Sequence, residues 1–412
     1  MSRYLTAILK IVLILLALAI LGGLVFANTV YVRTQPLEKN FLVPWLGART
    51  FLQYGDNPYN GPASQRAQIV YYGRLAADGQ DPLVLWLPLP VELFYFPFAL
   101  VTDYALALGI WMTCLEIAQV ALILLSLRLT GWRPPRLLLP LVLFFSIFWV
   151  YGAFSLASGS GAGFIALALA GFLLALRDGH DELAGGLLLL AGSVVSLSGL
   201  LLIFMFWWIV FQRRWRILWG FLMSLVLLLG LSFLFLPGWL LPYLRGMILH
   251  STYDPALSTV NIFATWSPVV GPRLAWVMAG TLLLLLFIEW GAALRNDFRN
   301  LLWTVNLTLA AMPILGISIA TANYIILNIP LMILLGILAE GRSSRGRWSA
   351  GILLFVMLIG SWVLTAILIS SNKYTALAQT LFLFLPLLLI PGLYWMRWRF
   401  TRSASPEFEL PR

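Results

Sequence analysis

Long apolar runs divide this chain, and they constrain its fold more than any other feature. The first run covers residues 5–27, and eleven more follow it, at 84–102, 104–127, 136–152, 159–176, 184–211, 215–236, 274–294, 300–319, 322–339, 350–370 and 377–396. About twenty apolar residues cross a bilayer as a helix, and lipid favours helices because their backbone hydrogen bonds are satisfied internally.

Composition supports a membrane location. The chain is 61% hydrophobic and only 10% charged, whereas soluble domains are about 45–50% apolar and about 25% charged. We therefore predict an all-α, multi-pass integral membrane protein with about 12 transmembrane helices, and no part that forms a soluble enzyme. Residues 1–400 are expected to form a single transmembrane domain.

The net charge of +10 is explained by topology rather than by nucleic-acid binding. Short cytoplasmic loops of membrane proteins are rich in Lys and Arg, which also meet anionic lipid headgroups. Twelve basic residues fall in four such clusters, namely Arg128/Arg133/Arg136, Arg213/Arg214/Arg216, Arg342/Arg345/Arg347 and Arg397/Arg399/Arg402. The pattern predicts cytoplasmic N- and C-termini, with residues 401–412 as a polar tail, and the bilayer rather than nucleic acid as the partner.

One detail of the twelve-span count conflicts with the charge rule, because it places the basic loop 128–136 outside. The conflict disappears if two segments are not ordinary spans. The proline-rich segment 84–102 can enter and return, or rest in the outer leaflet, since prolines disfavour a continuous helix. The long segment 184–211, interrupted by serine and glycine, can form two half-spans that meet near the outer face, and we prefer this second topology.

Two polar stretches are predicted on the outer face, at about 28–83 and 237–272. Within the first, 44–54 and 63–77 show helical periodicity and suit helices on the membrane surface. The second contains aromatic residues among Pro and Gly and carries few charges.

Ionisable groups inside apolar segments are costly, so they tend to be functional or paired. Glu289 lies near a helix end and can reach the interface, whereas Glu116 is expected to bond within the helix bundle. Glu92 lies close to the outer loop and is the strongest functional candidate of the three. His250, on the outer side, is either a catalytic or ligand-binding group or an ordinary exposed histidine. With two histidines and the single Cys114, the chain predicts no metal site, and we expect no cofactor.

Several motifs resemble a known family. They are Asn40-Phe41-Leu42-Val43-x-Trp45, Ala48-Arg49-x-Phe51-Leu52-x-x-Gly55-x-Asn57-Pro58-Tyr59, Tyr72-Gly73-Arg74, Pro88-Leu89-Pro90, Phe94-Tyr95-Phe96-Pro97-Phe98, Arg177-Asp178-Gly179-x-Asp181-Glu182-Leu183-Ala184-Gly185 and Thr321-x-Asn323-Tyr324. Together with one helix, a long outer loop and many later spans, they resemble the GT-C class of membrane glycosyltransferases. The closest likeness is to glycosyltransferase family 87, the polyprenol-phosphate-mannose-dependent mannosyltransferase type.

The resemblance implies a GT-C-like fold and transfer of a hexose, expected to be mannose, from a polyprenol-phosphate-sugar donor to a lipid or glycan acceptor. It also implies a site on the outer face of the plasma membrane. Such chemistry needs a carboxylate to accept the acceptor's proton and groups that stabilise the departing phosphate. Three positions depart from the family pattern. Asn40 replaces the expected acid, and Ser160 and Ser196 stand where Gln and Lys are usual.

Other residues are candidates for the lost roles. Glu38 or Glu92 is the candidate catalytic base in place of Asn40, and the candidate substrate-binding residues are Arg49, Asp56, Tyr59, Ser160, Ser196 and His250. For Asp56, a turn-forming role is equally suited to the Gly-Asp-Asn-Pro sequence. Two alternatives stay open. One is a degenerate relative that binds lipid or glycan without transfer, and the other is a transporter or flippase, which the absence of a visible inverted repeat disfavours.

Overall fold

The structure is a computed structural model, and the residues it describes are 3–253, 257–295, 297–315, 320–339 and 344–402. Across these residues the chain is helical and contains no β-strand, which confirms the all-α prediction. Residues 403–412 of the predicted polar tail, and Arg342 of the third basic cluster, lie outside the described residues.

Nineteen α-helices occur in the described part of the chain, with short 3₁₀ segments at Leu93–Tyr95, Met312–Leu315 and Thr321–Leu327. The first ten are α1 Arg3–Thr34, α2 Lys39–Tyr54, α3 Gly61–Tyr72, α4 Leu89–Glu92, α5 Phe96–Ala99, α6 Tyr104–Thr130, α7 Leu138–Phe148, α8 Val150–Ala157, α9 Ala162–Arg177 and α10 Asp181–Ala191. The others are α11 Val195–Phe211, α12 Trp215–Phe235, α13 Leu240–Tyr253, α14 Thr259–Trp266, α15 Gly271–Ala293, α16 Phe298–Ala311, α17 Asn328–Ala339, α18 Ser344–Ser370 and α19 Tyr374–Arg402.

Several of these helices are long and apolar enough to cross a membrane. Within the described residues there are seven, at Thr6–Thr34, Tyr104–Thr130, Trp215–Phe235, Gly271–Ala293, Thr321–Ala339, Trp348–Ser370 and Tyr374–Arg397. The pair α7 and α8, bent by 44°, forms an eighth if it is counted as one span. Many large apolar side chains on these helices are exposed, as is expected of a membrane-embedded protein. The count of twelve crossings stays a prediction, because the other apolar helices are shorter.

The first helix is longer than the sequence indicated, since it continues seven residues past residue 27 to Thr34. The reason is a polar contact with α6. The side-chain amide of Asn28 donates to Oγ1 of Thr113 at 3.0 Å and to Oε1 of Glu116 at 3.2 Å. Glu116 therefore bonds within the helix bundle, as predicted. By contrast, residues 6–23 of α1 are exposed along their whole length.

Both segments predicted to be interrupted are interrupted. Residues 84–88 are not helical, and the rest of the proline-rich segment forms three short helical turns between Leu89 and Ala99. The second break falls at 192–194, between α10 and α11. The Ser198 hydroxyl bridges this break by donating to the Ala191 carbonyl at 2.6 Å. Neither segment is a continuous spanning helix.

The two polar stretches also contain helices. The predicted helices at 44–54 and 63–77 correspond to α2 and α3, although α3 ends at Tyr72, because the next residue, Gly73, has a φ of 72° that stops the helix. The stretch 237–272 holds α13 and α14 and is more helical than its composition indicated. Its prolines and glycines lie mainly at helix boundaries, where they are compatible with helix formation.

The chain divides into two compact units. One comprises Met1–Ile117, Leu156–Gly159 and Leu231–Asp254, and the other comprises Ala118–Ser155, Ser160–Gly230 and Pro255–Arg412. In the second unit, α10 and α12 pack backbone to backbone, because a Cβ on Gly185 or Gly220 would overlap the facing helix. An ion pair joins Asp181, the first residue of α10, to Arg214, the residue before α12.

Candidate functional site

The first unit is organised around α2, which follows the first helix. An ion pair of 2.9 Å between Lys39 and Asp81 fixes its start. The indole Nε1–H of Trp45 donates to the carbonyl of Phe98 at 3.0 Å, near the end of α5. These contacts pack the proline-rich segment against α2.

Arg49 completes this packing. Its Nη1 donates to the carbonyls of Ala99 and Val101, each at 3.1 Å, and its guanidinium lies 5.0 Å from the centre of the Trp45 ring. The last carbonyls of a helix have no partner within the helix, and Arg49 satisfies them at the end of α5. The structure thus gives Arg49, a candidate substrate-binding residue, a structural role.

Glu92, at the end of α4, is the most unusual group of the unit. Its side chain has no solvent exposure, and neither carboxyl oxygen has a hydrogen-bond partner among the described residues. A Cβ on Gly47 of α2 would lie 3.1 Å from Oε1 of Glu92, so the glycine leaves room for the carboxyl beside α2. An unpartnered buried polar group is costly and is found mainly where it has a function.

Burial also changes the acidity of this carboxyl. Glu92 lies outside the helices long enough to span a membrane. Loss of solvation raises the pKa of the Glu92 carboxyl well above its usual value. The backbone N–H of Ala48, which is near the carboxyl but does not meet the geometry of a hydrogen bond, offsets only part of this effect. A carboxylate with a raised pKa is better matched to proton transfer near neutral pH than an exposed one.

Tyr59 lies beside Glu92. In the turn between α2 and α3, the backbone N–H of Tyr59 donates to Oδ1 of Asn57 at 2.9 Å. The Tyr59 hydroxyl donates to the carbonyl of Leu87 at 2.7 Å. Burial, followed by the negative charge of Glu92, raises the pKa of the Tyr59 phenol. The turn thus places a neutral aromatic ring next to the buried carboxyl.

An aromatic cluster extends from Tyr59 to α13. The ring centre of Tyr59 is 6.4 Å from that of Trp239 and 6.0 Å from that of Tyr243. The ring centres of Trp239 and Tyr243 are 5.6 Å apart. Trp239 is 2% exposed, and its Nε1–H has no acceptor among the described residues. Nearby along α13, His250 stacks on Trp86 with ring centres 4.8 Å apart.

The two candidates at the start of α2 are less enclosed than Glu92. Glu38 is the residue before the helix and is half-buried, and this partial burial raises the pKa of its carboxyl. Its backbone N–H donates to the hydroxyl of Tyr104 at 3.0 Å. Asn40 is half-buried in the first turn of α2, and as an amide it cannot accept a proton near neutral pH.

Asp56 lies in the turn that follows α2. It forms an ion pair of 3.3 Å with Arg66, whose guanidinium lies 4.0 Å from the centre of the Tyr54 ring. Both partners are substantially exposed, and exposed pairs contribute little to stability. Asp56 thus lies in a turn, but the side-chain bond to the backbone in this turn is made by Asn57, whose Oδ1 accepts from the N–H of Tyr59.

The remaining two candidates belong to the second unit. The hydroxyl of Ser160 donates to Oδ1 of Asn323 at 2.6 Å and accepts from the backbone N–H of Ala162 at 3.3 Å. Two motifs that are 163 positions apart in the sequence thus meet at the start of α9. Ser196 is half-buried in the first turn of α11, where the neighbouring Ser198 makes the bond that bridges the broken helix.

Sequence reasoning missed Gly47 and Trp239. Gly47 lies seven residues after Asn40 in α2, so the two positions share one face of the helix, and this spacing is a signal that the sequence contains. Trp239 lies in the stretch 237–272, where the sequence shows aromatic residues but gives none of them a particular role. Among the described residues no group of three or more His, Cys, Asp or Glu side chains is placed to hold a metal ion.

Comparison with known proteins adds no identification: no protein-family model matches the sequence, and searches of curated proteins and of solved structures return no match. The functional interpretation therefore depends on the residues themselves, above all on Glu92 and its neighbours.

Proposed function

We propose that this protein is a GT-C-like membrane glycosyltransferase that uses Glu92 as its catalytic base. The donor is a polyprenol-phosphate hexose, with mannose the expected sugar, and the acceptor is a lipid or glycan. The observation that carries the proposal is the fully buried Glu92 carboxyl, which has no partner among the described residues. We propose that the hydroxyl of the acceptor supplies the partner that this carboxyl lacks.

The position of Glu92 compensates for the missing acid at Asn40. Asn40 and Gly47, where Glu92 meets α2, are seven residues apart, which is two helical turns or about 10 Å along one face. The carboxylate is thus supplied to the same face of α2 from a different segment. Relative to the family pattern, the reacting hydroxyl would lie about 10 Å further along the helix.

The reaction divides into two roles. Glu92 takes the proton from the acceptor hydroxyl while the oxygen of that hydroxyl bonds to C1 of the donor sugar. At the same time the bond from C1 to the lipid phosphate breaks. The departing phosphate carries negative charge and needs a cation nearby. Within the first unit, Arg245 on α13 is exposed and forms no ion pair with a described residue, which suits it for this second role.

The test is transfer in isolated membranes. Membranes that contain the wild type, Glu92→Gln or Glu116→Gln are supplied with labelled polyprenol-phosphate-mannose and an extracted lipid or glycan acceptor. Glu92→Gln should lower the rate by about 10²–10⁴-fold, the usual contribution of a positioned base. Glu116→Gln is the matched control, because Glu116 is a second poorly solvated glutamate of the same unit and bonds to Asn28.

Two results would reject this assignment. One is a wild type that transfers no sugar where an active family member does, and the other is a Glu92→Gln variant as active as Glu116→Gln. If Glu38→Gln were the damaging change instead, the base would be Glu38 rather than Glu92.

Membrane topology is part of the proposal. We propose about twelve crossings in a single transmembrane domain of the plasma membrane, both termini in the cytoplasm, and the stretches 28–83 and 237–272 outside. In a Cys114→Ser background, Asp56→Cys should react with an impermeant maleimide in intact cells. Reaction only after the cells are opened would contradict both the topology and a site on the outer face.

A second candidate function is binding of lipid or glycan without transfer. It is favoured by Asn40, Ser160 and Ser196, which replace the polar groups expected from the family, and by the carbonyl contacts that occupy Arg49. In this case the wild type would bind a polyprenol-phosphate-sugar but transfer nothing, and Glu92→Gln would alter affinity alone.

A further inference from the structure

Leu83 has a backbone conformation that is unusual for its side chain. Its φ is 49°, in the left-handed region that favours glycine, and its side chain is only 2% exposed. Two other non-glycine residues of the described chain have a positive φ, Arg213 and Asn372, and both are exposed. A bulky residue keeps such a conformation only where its surroundings enforce it, and strain of this kind is concentrated at functional sites.

The peptide unit between Pro82 and Leu83 is held at both ends, which fixes the φ of Leu83. The carbonyl of Pro82 accepts from Nε2 of Gln68, on α3, at 2.8 Å. The backbone N–H of Leu83 donates to Oδ1 of Asp81 at 3.0 Å. Asp81 is itself anchored, because its Oδ2 pairs with Nζ of Lys39, at the start of α2, at 2.9 Å. Asp81 therefore ties the left-handed residue to α2.

The segment that follows Leu83 leads to Glu92. From Leu83 to Leu89 every second side chain is buried, which is the alternation of an extended chain that buries one face. A Cβ on Gly47 of α2 would lie 3.2 Å from Cδ2 of Leu85 and 3.1 Å from Oε1 of Glu92. Leu85 and Glu92 thus meet α2 at the same glycine.

The conformation of Leu83 decides which side chains of this segment face α2. Because the side chains alternate, a rotation of the backbone at Leu83 would turn Leu85 away from Gly47. It would also displace the carbonyl of Leu87, which accepts from the Tyr59 hydroxyl at 2.7 Å. Glu92 follows five residues later, so its carboxyl would lose its place beside Gly47.

We propose that Asp81 is a positioning residue for the Glu92 carboxyl. Asp81 holds the N–H of Leu83, the left-handed Leu83 directs Leu85 to Gly47, and the Glu92 carboxyl is thereby placed beside the same glycine. Asp81 acts through the backbone and needs no contact with a substrate. A misplacement of about 1 Å can cost about 10²-fold in rate, so a base carried by a proline-rich segment depends on such a support.

The catalytic consequence rests on the proposed function, because it requires Glu92 to act on an acceptor hydroxyl. The placement of the carboxyl requires no transfer, and it can be observed in the resting protein.

The first measurement is the infrared C=O stretching band of Glu92, recorded on the full chain in phospholipid nanodiscs at pH 5 and identified as the band that Glu92→Gln lacks. The raised pKa of Glu92 keeps the carboxyl protonated at this pH. A carboxyl without a hydrogen-bond partner absorbs at a higher frequency than a bonded one. Asp81→Ala should move the band to lower frequency, because the displaced carboxyl then meets water or another donor.

Two further variants at position 81 test the link through Leu83. Asp81→Asn keeps a side-chain oxygen for the Leu83 N–H, so its band should coincide with that of the wild type. Asp81→Glu keeps the charge for Lys39 but carries the acceptor past the Leu83 N–H, so it should shift the band as Asp81→Ala does. This variant serves if Asp81→Ala does not fold.

Asp103→Ala is the matched control. Asp103 belongs to the same unit, its Oδ1 accepts from the backbone N–H of Leu106 at 3.0 Å, and its Oδ2 pairs with Arg33 at 3.2 Å. The control thus removes the same two kinds of bond at a position that does not lead to Glu92. It should leave the Glu92 band unchanged.

The second measurement is sugar transfer in isolated membranes. Asp81→Ala should lower kcat by about 10²-fold with little change in KM, because the groups that bind the substrates stay in place. Asp81→Asn should restore kcat, and Asp103→Ala should not lower it.

The inference is overturned if Asp81→Ala and Asp81→Glu leave the Glu92 band in place, if Asp103→Ala moves it equally, or if Asp81→Asn shifts it as far as Asp81→Ala. An unmoved band, together with transfer that depends on Glu92, would reject the positioning role and leave the enzyme assignment standing. A band that moves in the Asp81 variants of a protein whose wild type transfers no sugar would reject the enzyme and leave the positioning role standing.

Discussion

Replacing Glu92 by glutamine should change how the stability of the folded protein depends on pH. The wild-type carboxyl has no solvent exposure and no hydrogen-bond partner among the described residues, so its ionised form is strongly disfavoured in the fold. Its pKa in the folded chain is therefore well above the ordinary value of 4.5, which applies to the unfolded chain. Glutamine has a similar shape and does not titrate in this range.

The sign and size of the effect follow from proton binding. Above pH 4.5 the unfolded wild type has released the Glu92 proton, whereas the folded wild type keeps it until the pH passes the raised pKa. In this window unfolding releases one proton, and the free energy of unfolding falls by about 1.4 kcal/mol per pH unit. Stability is thus fully present at low pH and is lost as the pH rises. Glu92→Gln lacks this loss, so its advantage over the wild type should grow with pH.

The assay is reversible unfolding in mixed micelles between pH 5 and 8, with the free energy of unfolding compared at each pH. Glu182→Gln is a control without a slope, because the hydrogen bond of Glu182 with Arg216, 2.7 Å long, lowers the pKa of this exposed carboxyl below its ordinary value. Glu182 is then ionised in both the folded and the unfolded chain between pH 5 and 8, so the difference between this variant and the wild type should not change with pH in that range. Parallel curves for the wild type and Glu92→Gln would refute the reasoning. The reasoning would also be refuted if the free energy of unfolding of the wild type rose relative to that of Glu92→Gln as the pH increased.

Two packing predictions concern the second unit. Gly220→Ala places a methyl group against the carbonyl of Glu182, and we expect it to lower the free energy of unfolding by about 1–3 kcal/mol. Gly230 lies in the same helix with open space around it, so Gly230→Ala should not lower the free energy of unfolding measurably. Ser198→Ala removes the bond across the broken helix and should cost about 1 kcal/mol, whereas Ser196→Ala should cost less, and equal losses would contradict a bridging role.

The apolar runs and the helix-breaking residues of the sequence were sufficient to predict much of the fold. The proline density around 84–102 and the serines and glycine within 184–211 predicted the two interruptions, because both patterns act on the backbone locally. The extension of α1 to Thr34 was not predicted. It depends on Asn28 meeting Thr113 and Glu116, which are more than eighty positions away, and no local pattern reveals such a contact.

The site was predicted less completely than the fold. Glu92 was recognisable as an acid within an apolar segment, but its lack of a partner is a property of the packed chain. Arg49 was a candidate for substrate binding, whereas its partners in the structure are the carbonyl of Ala99, at the end of α5, and that of Val101, just beyond it. For Trp239, a sequence can show an aromatic residue but cannot show that its N–H finds no acceptor.

The exposed stretch of α1 has a consequence for how this helix can vary. Residues 6–23 are exposed and pack against no other described part of the chain, whereas Asn28, Thr29 and Val32 are the buried residues of α1. Selection on the first stretch then acts only on hydrophobicity and length, and selection on the second acts on individual side chains. The amino-terminal part of α1 is in effect an interchangeable anchor, and a foreign apolar helix of equal length joined before Asn28 should hold the rest of the molecule equally well.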